Sequence, residues 1–115
     1  MSDSAQDTLS LLNEFWGEAV ISYRVHPNGR ISGVGRLVFH YTIWVDLTPW
    51  GYGERYCYQT LEGALRAQAQ WSGEGDPDGW HKHPDSGRRR DPKTGEIWHE
   101  SEDAERRFNR EFREN

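Results

Sequence analysis

The sequence has little cysteine and little lysine for its length. One cysteine among 115 residues, Cys57, excludes an internal disulfide and is typical of a protein from a reducing compartment. Lysine occurs only at Lys82 and Lys93, so arginine supplies nearly all of the positive charge. The net charge of -5 argues against general binding to polyanions, which requires a basic surface, and it favours a soluble protein or one with a basic partner.

Long apolar runs are also absent. No stretch approaches the roughly 18 residues of a membrane-spanning helix, and the first residues, MSDSAQD, are acidic, unlike a secretion signal. The chain is therefore predicted to be cytoplasmic, with no membrane partner. Only 34% of the residues are apolar, but six Trp, five Tyr and four Phe bury large areas, so residues 1–115 are predicted to form one domain with an aromatic core.

The spacing of the apolar residues predicts an α+β fold. Helical spacing over 4–16, with Ser4 as the cap, is followed by an alternating strand, Val20–Val25, and by an Asn-Gly turn. A long strand is predicted from about Arg30 to Leu47. A bulge is expected near its start, because glycines weaken a strand there.

The long strand defines the predicted core, because apolar residues alternate along it over eleven positions. The predicted core face consists of Leu37, Phe39, Tyr41, Ile43, Val45 and Leu47. A turn at Thr48–Gly53 leads to a short strand, Glu54–Tyr58, and Thr60 caps a helix that ends before Gly73. Residues 4–72 are thus predicted to form a sheet of three to four antiparallel strands between an N-terminal helix and a packed helix.

Residues 73–100 contain three of the five histidines, three of the five prolines and the arginine triplet. Connections longer than ~12–15 residues in a compact domain are usually either functional or disordered. This stretch is predicted to be an extended loop or hairpin arm, in which residues 80–98 project towards a partner. A C-terminal helix is predicted over 101–115.

Three histidines make this stretch the best candidate for a metal site. His81 and His83 would point to the same side of a strand, and His99 could complete the set from a neighbouring strand. The segment GWHKHPD resembles the His-rich motif of HNH-type nucleases, and this resemblance implies a small metal-dependent nuclease. Surface histidines in a hydrophilic loop are the simpler interpretation. No catalytic residue and no cofactor are predicted.

The aromatic and arginine residues favour a binding function, because Trp, Tyr and Arg dominate interface hot spots. The predicted partner-binding residues are Trp44, Trp50, Tyr52, Trp80, Arg88, Arg89, Arg90 and Trp98. Three alternatives remain open. The N-terminal helix could cover Trp44, the arginines could pair with nearby carboxylates, or Arg88–Arg90 could bind nucleic acid directly.

The stretch TIWVDLTPWGYGERYCYQTLEGALRAQAQWSGEGDPDGW, about a third of the chain, resembles short uncharacterised proteins from prophage and mobile-element regions of GC-rich bacteria. The resemblance implies a setting in which small acidic proteins bind host machinery, as anti-CRISPR proteins do. The sequence therefore predicts a non-enzymatic protein-binding module. Its expected partner is a host or phage protein complex, and its expected role is inhibition of a complex that handles nucleic acid.

Overall fold

The computed structural model of the chain describes residues 2–113, with side chains described over 7–108. It confirms an α+β fold. The helices are α1 (Ser2–Trp16), α2 (Leu61–Gln70) and α3 (Asp103–Arg113), and the strands are β1 (Val20–Val25), β2 (Ile31–Arg36), β3 (Tyr41–Val45), β4 (Glu54–Tyr58), β5 (Lys82–His83), β6 (Arg88–Arg90) and β7 (Ile97–His99). No helix within residues 2–113 is long and apolar enough to cross a membrane.

The helix ends follow local chemistry. Ser4 was predicted to cap α1, but the helix begins at Ser2, so Ser4 lies within it and the prediction was wrong. Gly17 ends α1 with a φ of 53°, which glycine adopts without strain. α2 begins as predicted, because the Thr60 side chain accepts a hydrogen bond from the Gly63 amide at 3.0 Å.

All seven strands form one antiparallel sheet, and their order in the sheet is their order in the chain. The predicted sheet of three to four strands was too small, because the segment at 73–100 contributes β5, β6 and β7. One row of paired residues crosses the sheet: Gly35, Thr42, Cys57, Lys82, Arg89 and Trp98. The side chains of the five residues that follow Gly35 in this row therefore project from the same side of the sheet.

The prediction of one long strand from Arg30 to Leu47 was wrong. The chain reverses at residues 37–40, where the Leu37 amide donates to the His40 carbonyl at 2.7 Å. Phe39 lies at the tip of this turn and is 93% exposed, so its predicted place in the core was also wrong. The alternation of apolar residues continues across the turn, and it therefore gave no sign of the reversal.

Two apolar clusters pack on opposite sides of the sheet. The cluster on the α2 side consists of Val34, Ile43, Val45, Tyr56, Tyr58, Ala64, Ala67, Trp71 and Trp80. The cluster on the α1 side consists of Leu12, Val20, Trp44 and Leu47, with Trp16, Tyr23, Ile31 and Leu37 packed against it. The predicted core face is thus divided between the two sides.

A buried chain of polar groups links α2 to the β1–β2 hairpin. His26 Nδ1 lies 2.9 Å from the Trp71 carbonyl, and its Nε2 lies 2.6 Å from Ser32 Oγ. The carbonyl only accepts, so Nδ1 carries the proton and the Ser32 hydroxyl donates to Nε2. Gln68 then donates to Ser32 Oγ at 3.1 Å and to the Ser22 carbonyl at 3.0 Å. Sequence reasoning did not find this network.

Candidate protein-binding surface

The tryptophans and the tyrosine predicted to bind a partner lie in different surroundings. Trp44 and Trp80 are buried in the α1-side and α2-side clusters, 6% and 1% exposed, so neither offers a surface to a partner. Trp98 is half-buried, and its indole N–H donates to Asp103 Oδ1 at 2.6 Å. Trp50 and Tyr52 lie on the turn after β3 and are 88% and 40% exposed.

The arginine triplet is engaged by other groups of the same chain. Arg88 donates to both carboxylate oxygens of Asp76, at 2.7 and 3.0 Å, and its guanidinium lies 5.0 Å from the centre of the Trp80 ring. Arg89 Nε lies 3.0 Å from Asp103 Oδ2, and Arg90 donates to the Trp80 carbonyl at 3.3 Å. In this structure the three arginines connect β6 to neighbouring segments.

The three candidate metal-binding histidines lie in different surroundings. His83 is buried, with Nε2 3.1 Å from Glu54 Oε2 and Nδ1 2.6 Å from Ser86 Oγ. His99 Nδ1 lies 2.9 Å from Ser101 Oγ, and the ring of His81 lies near that of His40. Within the described part of the chain, no group of three His, Cys, Asp or Glu residues is placed to hold a metal ion.

A half-buried arginine that sequence reasoning also missed organises one end of the sheet. Arg30 donates to both carboxylate oxygens of Asp46, at 3.0 and 2.8 Å, and to Glu54 at 3.3 Å. It also donates to the Gly73 carbonyl and lies 5.4 Å from the centre of the Trp71 ring. Hydrogen bonding to Arg30 lowers the pKa of Asp46. These partners are distant in sequence, so no local pattern indicated the cluster.

The exposed aromatic residues meet where α1 ends beside the turn after β3. We define the aromatic surface as Leu11, Phe15, Trp50 and Tyr52. Leu11 and Phe15 are 45% and 59% exposed and lie one helical turn apart, and the Phe15 and Trp50 rings lie 6.5 Å apart. Leu11 and Phe15 directly precede the inward-facing Leu12 and Trp16. This second helical stripe was a signal that could have revealed them.

The support beneath the aromatic surface is fixed by hydrogen bonds. The Trp16 indole donates to the Thr48 carbonyl at 2.8 Å and so joins the end of α1 to the turn. Within the turn, the Thr48 amide donates to the Gly51 carbonyl at 2.8 Å, and the Trp50 amide donates to Thr48 Oγ1 at 3.2 Å. A surface that is ordered before binding loses less entropy on association.

The N-terminal part of the chain, which contributes Leu11 and Phe15 to the aromatic surface, is acidic. Residues 1–23 contain Asp3, Asp7, Glu14 and Glu18 but no lysine, arginine or histidine. Asp7, Glu14 and Glu18 are exposed, and no cationic side chain within residues 7–108 forms an ion pair with them.

Comparison of the chain with protein-family models, with curated proteins and with solved structures finds no match.

Proposed function

We propose that this protein is a non-enzymatic protein-binding module and that the aromatic surface is its binding site. One observation carries the proposal: Trp50 is 88% exposed, although a hydrogen-bonded turn holds it beside Phe15. Burial of an indole against a partner removes a large apolar area from water. Tryptophan is also one of the residue types enriched in interface hot spots. The nuclease alternative has less support, because no three His, Cys, Asp or Glu side chains among the described residues are placed to hold a metal ion. The Arg88–Arg90 alternative has less support, because these arginines are engaged within the chain.

We further propose that the partner is basic. The exposed and unpaired Asp7, Glu14 and Glu18 would attract a positive surface and orient it before contact. Complexes that handle nucleic acid expose basic grooves to bind phosphate groups. The exposed carboxylates of Asp7, Glu14 and Glu18 therefore support a narrower proposal, that the protein inhibits a host nucleic-acid-handling complex in the manner of anti-CRISPR proteins.

The test compares three baits in affinity capture from cells of the source organism: the wild type, Trp50→Ala and Phe39→Ala. Phe39 is a matched control because it is as exposed as Trp50 but lies on the turn at the other end of β3. Wild type and Phe39→Ala should retain the same partner, and Trp50→Ala should lose it. With the partner purified, Trp50→Ala should raise the Kd about 30-fold or more, the effect of losing a hot spot of about 2 kcal/mol.

Two results would count against the proposal. If all three folded baits captured the same proteins with equal affinity, the aromatic surface would not be the binding site. If the association rate did not fall as salt rose from about 0.05 M to about 0.3 M, the partner would not be basic, although the aromatic surface could still bind it.

A further inference from the structure

A cluster of basic side chains lies on the α1 side of the sheet, next to Arg89 of the arginine triplet. Lys82 pairs directly with Cys57 across β4 and β5. Arg55 pairs with Trp44, whose side chain faces α1, so Arg55 and Cys57 project from that same side. No hydrogen bond or ion pair from the Lys82 ammonium or the Arg55 guanidinium to a group within residues 7–108 is found.

Two histidines border this cluster, and each has a buried ring nitrogen without a partner. His40 comes from the turn between β2 and β3, and His81 directly precedes β5. Their ring centres lie 6.1 Å apart, with the ring planes perpendicular. His40 Nε2 and His81 Nδ1 are buried and have no hydrogen-bond partner among the described residues. Buried polar atoms are nearly always satisfied, so two such atoms side by side require an explanation.

The charges in this region favour an anion over a cation. Burial, reinforced by Lys82 and Arg55, lowers the pKa of His40, and burial together with His40, Arg89 and Lys82 lowers that of His81. Neutral imidazoles suit metal ions, but the neighbouring fixed positive charges would repel one. Arg89 is already paired with Asp103, which leaves Arg55 and Lys82 as the uncompensated charges.

One carboxylate, that of Asp85, reaches the edge of the cluster. Its Oδ2 accepts a hydrogen bond from the Arg55 amide at 2.8 Å. Burial raises the pKa of the Cys57 thiol, Arg55 and Lys82 oppose that rise, and Asp85 adds to it. Asp85 and the net charge of -5 oppose an extended polyanion. The ligand that fits is therefore small and carries few charges.

We propose that His40, Arg55, His81 and Lys82 form an anion site that binds one small oxyanion, a phosphate or carboxylate group. The ligand would accept charge-assisted hydrogen bonds from Arg55 and Lys82 and further hydrogen bonds from the unpartnered ring nitrogens of His40 and His81. The site uses none of the residues of the aromatic surface, so it stands independently of the proposed protein-binding function.

The test follows the ring signals of all five histidines by NMR against pH, with inorganic phosphate, with acetate, and with chloride at the same ionic strength. Phosphate or acetate should raise the pKa values of His40 and His81, because a bound anion favours the protonated ring. The signals of His99, which is exposed and bonded to Ser101, should not respond. A response to phosphate alone or to acetate alone identifies which oxyanion the site takes.

Lys82→Gln should weaken the binding of phosphate or acetate about tenfold, the loss expected for one charge-assisted hydrogen bond. Lys93→Gln is the matched control, because Lys93 is the other lysine and is exposed on the turn before β7. The proposal would be overturned if neither anion moved the signals of His40 and His81. It would also be overturned if Zn²⁺ bound to those rings more tightly than either anion, or if only an oligonucleotide bound there. The wild-type titration decides the matter even if Lys82→Gln does not fold.

Discussion

Gly35 is the residue at which the lack of a side chain matters most. A Cβ at this position would overlap the Trp44 ring and would also lie 2.9 Å from the Ala19 carbonyl. The Trp44 ring therefore lies directly on the backbone of β2, and Trp16 packs against it at 5.0 Å between ring centres. The α1-side cluster depends on this close approach.

Gly35→Ala is expected to lower the free energy of unfolding by about 1–3 kcal/mol, the usual cost of overpacking a core. Gly51→Ala is the matched control, because an added Cβ there meets no atom within 4 Å. Its effect should stay within about 0.5 kcal/mol. Urea denaturation of both variants measures the difference. Equal stability of the two variants would mean that Trp44 does not rest on β2.

Among the elements, β6 differs most from its predicted role as part of a projecting arm. Its Arg88 lies between the Asp76 carboxylate and the Trp80 ring. Asp76 Oδ1 also accepts a hydrogen bond from the Tyr56 hydroxyl at 2.7 Å. Hydrogen bonding to Arg88 lowers the pKa of Asp76. The side chains of Arg88 and Asp76 are each 32% exposed, so solvent weakens the pair without removing it.

Arg88→Ala should therefore destabilise the protein by about 1–2 kcal/mol, through loss of a partly exposed ion pair and of a cation–π contact. Arg107→Ala is the control, because Arg107 is exposed on α3 and has no partner among the described side chains. Thermal unfolding of the two variants is the measurement. An unchanged melting temperature for Arg88→Ala, combined with loss of partner binding, would instead support the projecting arm.

Elements with strong local signals were predicted well from the sequence. The strand Val20–Val25, the Asn-Gly turn and the Thr60 cap are confirmed. The turn at 37–40 reads LVFH and has no glycine, proline or asparagine, so no residue marked it. β5 and β6 are only two and three residues long, too short for alternation to be recognised.

The same limits apply to the candidate surface. Trp50 and Tyr52 were identified because a glycine-rich turn presents its side chains to solvent. The sequence could not distinguish the exposed Trp50 from the buried Trp80, because both have a glycine and a proline within three residues. Only the sheet formed by β4, β5 and β6 places Trp80 beneath Arg88.

The molecule as a whole is expected to lose stability in mild acid. Burial lowers the pKa values of His26, His40 and His81, and nearby positive charges add to each effect. The unfolded chain, with histidine pKa values near 6.5, therefore binds protons more readily than the folded chain does. The stabilisation is complete above about pH 6.5 and is lost as the pH falls through the lower folded-state values.

The free energy of unfolding should accordingly fall between about pH 7.5 and pH 5, with a slope that reflects several protons. His26→Gln should reduce this slope, whatever it does to stability at pH 7.5. The pKa values of Asp46 and Asp76 are lowered from the ordinary value of 3.8. The stabilisation that these two carboxylates provide is therefore lost only below about pH 3.8, outside this range. A wild-type stability that is flat from pH 7.5 to pH 5 would contradict the burial of the three histidines.

The agreement between strand order and chain order has a consequence for how the protein is made. Each hairpin of β1 to β4 closes after a few residues, whereas joining β4 to β5 must bring Cys57 and Lys82 together across α2. Local pairings form quickly, and distant ones cost more loop entropy. We therefore expect residues 2–70 to fold while the rest of the chain is still being synthesised. Packing of Trp80 into the α2-side cluster would then complete the domain.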